Sequence, residues 1–196
     1  VAMSAGMIIG TTLGLVAGYA GGLTDEIITR IVDIWLGFPF ILLALVVAIT
    51  IGASFTVVMG LMVLLAWSGF VRNVRADVLV IKENDYVAAA KVAGASNLRI
   101  LVKHIFPGTI GTVTVIASLS VGGLILSEAT LSFLGAGIPS PTPSWGNMIA
   151  EGRDYLQTAW WTSVFPGFAL FLTVMSLNFF GDWLRDRLDP KLRQLD

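Results

Sequence analysis

Cysteine is absent from the chain, so neither a disulfide nor a thiolate metal site enters its chemistry. Charge is scarce too: 13% of residues are Asp, Glu, Lys or Arg, against roughly 25% in an ordinary soluble domain. The net charge is −1, which gives no global field to argue for a nucleic-acid partner. The single histidine, His104, has no cysteine to share a metal with, and its nearest acids along the chain are Asp85 and Glu128. It reads as a loop histidine, not as a ligand or a base. No Gly-x-x-x-x-Gly-Lys-Ser/Thr phosphate loop occurs, so the chain carries no ATP site of the usual kind. Energy for any work must come from a partner ATPase, from an ion gradient, or from nothing. No repeat or low-complexity linker divides the sequence, and residues 1–196 read as one domain.

What is abundant is apolar residues, 56% of the chain, with a mean hydropathy of +0.84. Residues 1–24 carry no charge, enough for one span of about 20 residues. Within them Gly6, Gly10, Gly14 and Gly18 recur every four positions, joined by Ala17 and Gly21. A small-residue ridge of that kind lets transmembrane helices pack backbone to backbone. After the short charged segment Asp25, Glu26, Arg30 and Asp33, no charge appears from Ile34 to Val71. One helix over that stretch would be about 57 Å long, nearly twice the roughly 30 Å hydrocarbon core. Two spans are predicted, turning near Gly52-Ala53-Ser54, with Pro39 either bending the first or marking its start. Residues 104–127 make a fourth span and residues 155–181 a fifth, entered through Trp160 and Trp161 at the membrane–water interface.

Orientation follows from the cations. Arg30, the group Arg72, Arg75, Lys82, Lys91, Arg99 and Lys103, and the tail Arg185, Arg187, Lys191 and Arg193 fall on one side of this arrangement, leaving Arg153 alone on the other. The basic side is cytoplasmic by the positive-inside rule. Five spans ending inside put Val1 outside. With no initiating Met or signal peptide ahead of it, the N-terminal tail and a first span are expected to be missing from this sequence.

The stretch from Asn84 to Pro107 breaks the apolar pattern with charge, small residues and helix punctuation. Asn84 or Asp85 is placed to cap a short helix, Gly94 to end it in the left-handed conformation, Ser96 or Asn97 to cap a second, and Pro107 to stop that one. Tyr86, Ala89, Ala90 and Ala93 fall at i, i+3, i+4 and i+7, a nearly bare face that admits another backbone closely. The alternative is a loop lying on anionic headgroups through its basic residues.

This stretch resembles the cytoplasmic loop of permease subunits of ATP-binding-cassette (ABC) importers, whose pattern is Glu-Ala-Ala, three residues, Gly, nine residues, Ile-x-Leu-Pro. Here the positions are Ala88-Ala89-Ala90, Gly94 and His104-Ile105-Phe106-Pro107. The spacing is kept, with Ala88 in place of Glu, His104 in place of Ile and Phe106 in place of Leu. Three further stretches resemble the dipeptide/oligopeptide/nickel branch of these permeases, in particular its dipeptide C-type subunits. They are Leu131-Ser132-Phe133-Leu134-Gly135, Pro141-Thr142-Pro143-Ser144-Trp145-Gly146, and the ending from Gly181-Asp182-Trp183 to Leu188-Asp189-Pro190.

The resemblance implies an all-α polytopic membrane protein with the type I ABC importer permease fold, five spans of six, in a bacterial or archaeal cytoplasmic membrane. It implies a second related permease subunit, two ATPase subunits that hold ATP and Mg, and an extracytoplasmic solute-binding protein, with no cofactor on this chain. The substrate class it implies is short peptides, with nickel or another small solute as the alternative. Residues 84–107 become a coupling segment docked on an ATPase. Asp85, Tyr86, Ala88, Ala89, Ala90, Gly94, Ala95, Arg99 and Pro107 carry that contact.

Two outer residues complete the candidates. Glu128 is an acid in the outer half of a span, a functional position by default, or else a boundary residue paired to backbone or to Arg153. Trp145 packs the proline-stiffened outer loop onto the helices, and both residues are candidates for the path or an outer gate. Glu151, Arg153 and Asp154 form a solvated outer cluster. A gradient-driven secondary transporter is the rival from another class. It needs intramembrane ionisable groups, and Glu128 is the one available.

Overall fold

The computed structural model describes residues 1–188; Asp189, Pro190, Lys191 and Arg193 of the tail lie outside the described residues. Within them every regular element is helical. In chain order these are α1 (Ala2–Ala20), α2 (Gly22–Leu36), α3 (Phe40–Ile51), α4 (Phe55–Ile81), α5 (Asp85–Val92), α6 (Asn97–Ile100), α7 (Phe106–Phe133), α8 (Trp145–Gly152) and α9 (Trp161–Leu188).

The glycine ridge of α1 lies on α4. A β-carbon built on Gly6 would fall 2.7 Å from that of Ala66, one on Gly14 3.0 Å from that of Val74, and one on Gly18 2.7 Å from that of Val78. Both series rise together, so the helices run parallel, and only hydrogen at these four positions permits the approach. The second tight pair is antiparallel: Gly122 of α7 faces Val174 and Asn178 of α9, and Gly181 of α9 faces Leu119 of α7.

Four helices are long and apolar enough to cross a bilayer unaided: α1, α4, the run Asn97–Phe133 and α9. The span predicted ahead of Gly52 differs from expectation. Pro39 marks the start of α3, which has 12 residues, about 18 Å of helix, too short for a hydrocarbon core of roughly 30 Å. α3 instead joins α2 at an 80° bend, and together the two helices have the length and composition of a fifth, broken span or of a re-entrant loop. The charged segment read as a connector is thus helical. α2 is fastened by a bidentate ion pair in which Arg75 Nε and Nη2 both donate to the Asp25 carboxylate, the latter at 2.7 Å. Val32 is buried with Trp67 and Val71, and Trp35 meets Trp67 edge-on with ring centroids 6.5 Å apart. The turn into α4 falls where predicted: Gly52 takes φ +96°, and Ser54 Oγ accepts from the Val57 N–H at 3.2 Å.

Large apolar side chains point away from the bundle. Ile41, Leu42, Val46 and Ile49 of α3 and Phe165, Phe168, Phe171, Phe179 and Phe180 of α9 are all exposed. In water such a surface would drive association; against lipid tails it costs nothing, and helices cohere through close packing of small residues instead.

Gly10→Leu tests that packing, because a β-carbon at Gly10 would run into the Trp67 carbonyl and lie 2.6 Å from the Phe70 β-carbon. It should destabilise by about 1–3 kcal/mol or more, the cost of overpacking, lowering the thermal midpoint in detergent. Gly60→Ala, whose added methyl meets nothing, should leave the midpoint unchanged or slightly raised.

Candidate functional site

The segment following α4 folds as two short helices with one face anchored. α5 starts at Asn84, whose backbone is extended but whose side chain makes no capping bond. The helix ends as its glycine predicts. Gly94 has φ +78°, its N–H reaches the Lys91 carbonyl at 3.0 Å, and the Ala95 N–H reaches back to Ala90 O at 3.1 Å. That closure satisfies carbonyls a helix end would leave bare. Ser96, not Asn97, caps α6, its Oγ accepting from the Arg99 N–H at 3.4 Å. Asn97 is used elsewhere, its Oδ1 accepting from the Tyr19 hydroxyl at 3.0 Å.

Pro107 does not stop this second helix. Residues Leu101–Ile105 form a π-helical turn in which the Phe106 N–H bonds the Leu101 carbonyl, and the helix continues through Pro107 into α7. A proline ring is tolerated there because a new helical register begins at Phe106, and first-turn residues have no intrahelical N–H partner to lose. His104 sits half-buried within the turn.

Val87, Ile100 and Ile105 are buried against Val74 and Val78 of α4, with Leu15, Tyr19, Ile81, Ala90 and Ala95 packed around them. Lys82 Nζ donates to the Gly18 carbonyl at 3.1 Å, and Lys91 Nζ lies 5.9 Å over the Tyr19 ring. The segment is therefore seated on the C-terminal ends of both α1 and α4. The face predicted as bare splits. Ala90 turns inward because it follows Val87 by three positions, whereas Tyr86, Ala89 and Ala93 stay exposed with Asp85, Ala88, Gly94 and Arg99. Pro107 is exposed at the start of α7, and Ala95 is half-buried. Beside the exposed alanines stand two aliphatic residues the sequence reading passed over, Val92 (90% exposed) and Leu98 (71%). Their signal was available: apolar side chains two positions from the inward-facing Ala90 and Ile100 in an otherwise polar loop.

At the opposite end of the bundle Glu128 and Trp145 line one open cavity of about 630 Å³, between the N-terminal ends of α1 and α4, the C-terminal half of α7, the loop after it and α8. Met3, Met59, Met62 and Met148 line it too, with Val121, Leu124 and Ile125. Glu128 does not pair with Arg153, which reaches Asp154 at 3.6 Å and lies 6.0 Å over the Phe133 ring. Its Oε1 instead accepts from the Ser132 hydroxyl at 2.6 Å. Ser132 Oγ in turn accepts the Ile138 N–H at 3.3 Å, and Asn147 Nδ2 donates to the Ile138 carbonyl at 2.7 Å. The residue that presses the outer segment onto the helices is Gly146, not Trp145. A β-carbon on Gly146 would come within 2.7 Å of that of Ser132, whereas Trp145 lies more than a third exposed on the cavity wall. Small size, not ring area, makes this contact.

The family model for the binding-protein-dependent transport system inner membrane component matches residues 10–194. The chain belongs to this family. It is 42% identical over 192 residues to the dipeptide transport system permease protein of Alkalihalophilus pseudofirmus, covering 98% of this chain and 63% of that one. It is 44% identical over 188 residues to the glutathione transport system permease protein of Pectobacterium atrosepticum, covering 96% and 62%. Against the oligopeptide transport system permease protein of Haemophilus influenzae it is 41% identical over 185 residues, covering 94% and 60%. The chain thus spans about three fifths of the length of these relatives. Among solved structures, a chain of the MetNI methionine ABC transporter in inward-facing conformations superposes with a TM-score of 0.74 at 18% identity, over 96% of this chain and 89% of that one. The fold is accordingly the helical permease fold of ABC importers.

Ile100→Ala should loosen the seating of the α5–α6 segment, since truncating a buried isoleucine costs about 2–5 kcal/mol. Amide hydrogen exchange should speed up across residues 84–100 while the outer half of α4 keeps its protection. Equal acceleration in both regions would mean the segment is not a separately anchored unit.

Proposed function

We propose that the chain is a transmembrane permease subunit of an ATP-driven importer of short peptides, and that the segment from Asn84 to Pro107 docks on a separate ATPase subunit. The observation that carries this reading is the two-faced build of α5 and α6. The inner face is locked to α1 and α4 through Val87, Ile100 and Ile105. The outer face offers Tyr86, Ala89, Val92, Ala93 and Leu98 with nothing on them. A helix seated in a partner's groove presents such an apolar outer face.

Force applied to that face reaches the spans directly, since the segment is packed on two of them and continuous with α7. Two ATPases drawn together by ATP would each carry their docked segment and rock the spans between inward- and outward-facing states. The ATPases hold ATP and Mg, a second related permease completes the path, and an extracytoplasmic binding protein delivers solute to the outer side. Peptides are favoured as cargo by the dipeptide, glutathione and oligopeptide relatives; nickel or another small solute is the second choice. The family places the chain in the inner membrane, and the distribution of cations supports a cytoplasmic side for the docking segment. A gradient-driven carrier is disfavoured, because the docking face would then have no occupant.

Detergent co-purification with candidate ATPase subunits tests the docking. Ala89→Arg and Val92→Arg place a long cation on the exposed face without touching the buried one, and each should reduce ATPase recovery about tenfold or more. Ala90→Arg should instead destabilise the segment itself, because Ala90 packs inward. ATPase recovery unchanged by either exposed-face substitution would reject this face, and no recovery with the unsubstituted chain would reject the coupling mechanism.

A further inference from the structure

Glu128 stands apart from every other acid described here in being set into an apolar cavity. Among the described residues no cation lies within ion-pair distance of it, and the Ser132 hydroxyl is its hydrogen-bond partner, on Oε1. Glu128 is half-buried in the lining of this open, mostly apolar cavity, and a cation entering it would find this carboxylate as its partner. Around it lie four of the chain's six methionines, Met3, Met59, Met62 and Met148. Unbranched, polarisable thioethers adapt to apolar groups of varied shape. One fixed negative charge beside a yielding apolar wall matches a ligand with one constant cation and one variable apolar group. The cavity volume, about 630 Å³, is in the range of small-molecule sites.

The carboxylate is also tied to the roof. Ser132 bridges Glu128 to the Ile138 N–H, and the Ile138 carbonyl takes the Asn147 side-chain amide of α8. Asn147 is in turn held by the Ser144 cap, whose Oγ accepts its N–H at 3.1 Å. A cation drawn to Glu128 therefore acts on a chain of hydrogen bonds ending in the helix that covers the cavity.

We propose that this outer cavity is a binding subsite for a short peptide, its protonated amino terminus paired to Glu128 and its apolar side chain packed among Met3, Met59, Met62 and Met148. The assignment rests on the peptide-importer reading above. Charge complementarity selects the ammonium end over the carboxylate end of the peptide, which Glu128 would repel.

The test uses the assembled transporter, with partner permease and ATPases, carrying isotope-labelled methionine methyl groups and read by NMR. L-leucyl-L-leucine is the probe, and N-acetyl-L-leucyl-L-leucine, which keeps the carboxylate but lacks the ammonium group, is the control. The methyl signals of Met3, Met59, Met62 and Met148 should shift on addition of the free dipeptide, while Met7 and Met175 stay still. Acetylation of the probe, or Glu128→Gln, should weaken the response about tenfold or more. Glu128→Gln keeps an oxygen for Ser132, so an unaltered ligand-free spectrum reports that the fold is intact; Glu128→Asp, which retains the charge, should respond to the free dipeptide at least in part. Equal shifts with the acetylated probe, equal shifts in Glu128→Gln, or no shift at all would overturn the subsite, the last also covering a cavity already filled by a neighbouring subunit or chain segment. Import of the same dipeptide into proteoliposomes separates the two readings. Import without methyl shifts sinks the subsite and leaves the importer standing; shifts without import do the reverse.

Discussion

The parallel contact between α1 and α4 is the constraint on which the rest depends. Four glycines on α1 bring two backbones together along the full depth of the bundle, and the pair so formed has a use at each end. At one end Leu15 and Tyr19 meet the α5–α6 segment through packing and the Asn97 bond, and the Gly18 carbonyl takes the Lys82 bond from the end of α4. At the other end Ala2, Met3, Met59 and Met62 form a wall of the Glu128 cavity. Because hydrophobic transfer gives no drive inside a bilayer, close van der Waals fit must supply the cohesion. A larger residue at any of the four positions would disturb both ends at once.

The exposed apolar surface of α3 and α9 follows from the same physics. In a soluble bundle the phenylalanines of α9 would define the core, yet here they stand outside and Gly122 and Gly181 lie within. The polar devices sit at the ends instead: the Asp25–Arg75 pair near the inner side, and the Glu128–Ser132–Ile138–Asn147 chain at the outer side.

Much of this was legible in the chain alone. Uncharged runs gave the spans, a glycine every fourth residue gave the packing face of α1, and Gly52, Gly94 and Ser96 marked their turns because each residue type there answers a local backbone need. The readings that failed depended on tertiary partners. Ala90 and Ala89 are chemically identical, and only the position of Val87 on α4 decides which of them turns inward. Trp145 looked like the anchor of the outer loop because large rings usually are, but the close approach of α7 and α8 was available only to Gly146. The bend between α2 and α3 was half visible in Pro39; the contacts that hold α2 on α4, the Asp25–Arg75 pair and Trp35 against Trp67, join residues distant in sequence. Glu128 was recognisable as unusual, but its methionine surround draws on three helices distant in sequence, α1, α4 and α8.

The π-helical turn at Leu101–Ile105 has a consequence for how this protein tolerates change in length. One extra residue accommodated in a turn rotates everything before it by about 100° relative to everything after it. The exposed face of α6 and the faces of α7 therefore do not lie on one helical wheel, although residues 97–133 form a continuous helix. Removing a single residue between Leu101 and Ile105 would let the helix revert to even winding, with every hydrogen bond satisfied and no apolar contact obviously lost in α7. It would also swing α5 and α6 around the axis, carrying Val92 and Leu98 away from any partner below. Substitution is forgiven in that turn more readily than deletion, and a family that keeps its spacing while varying its letters is the expected outcome of such a joint.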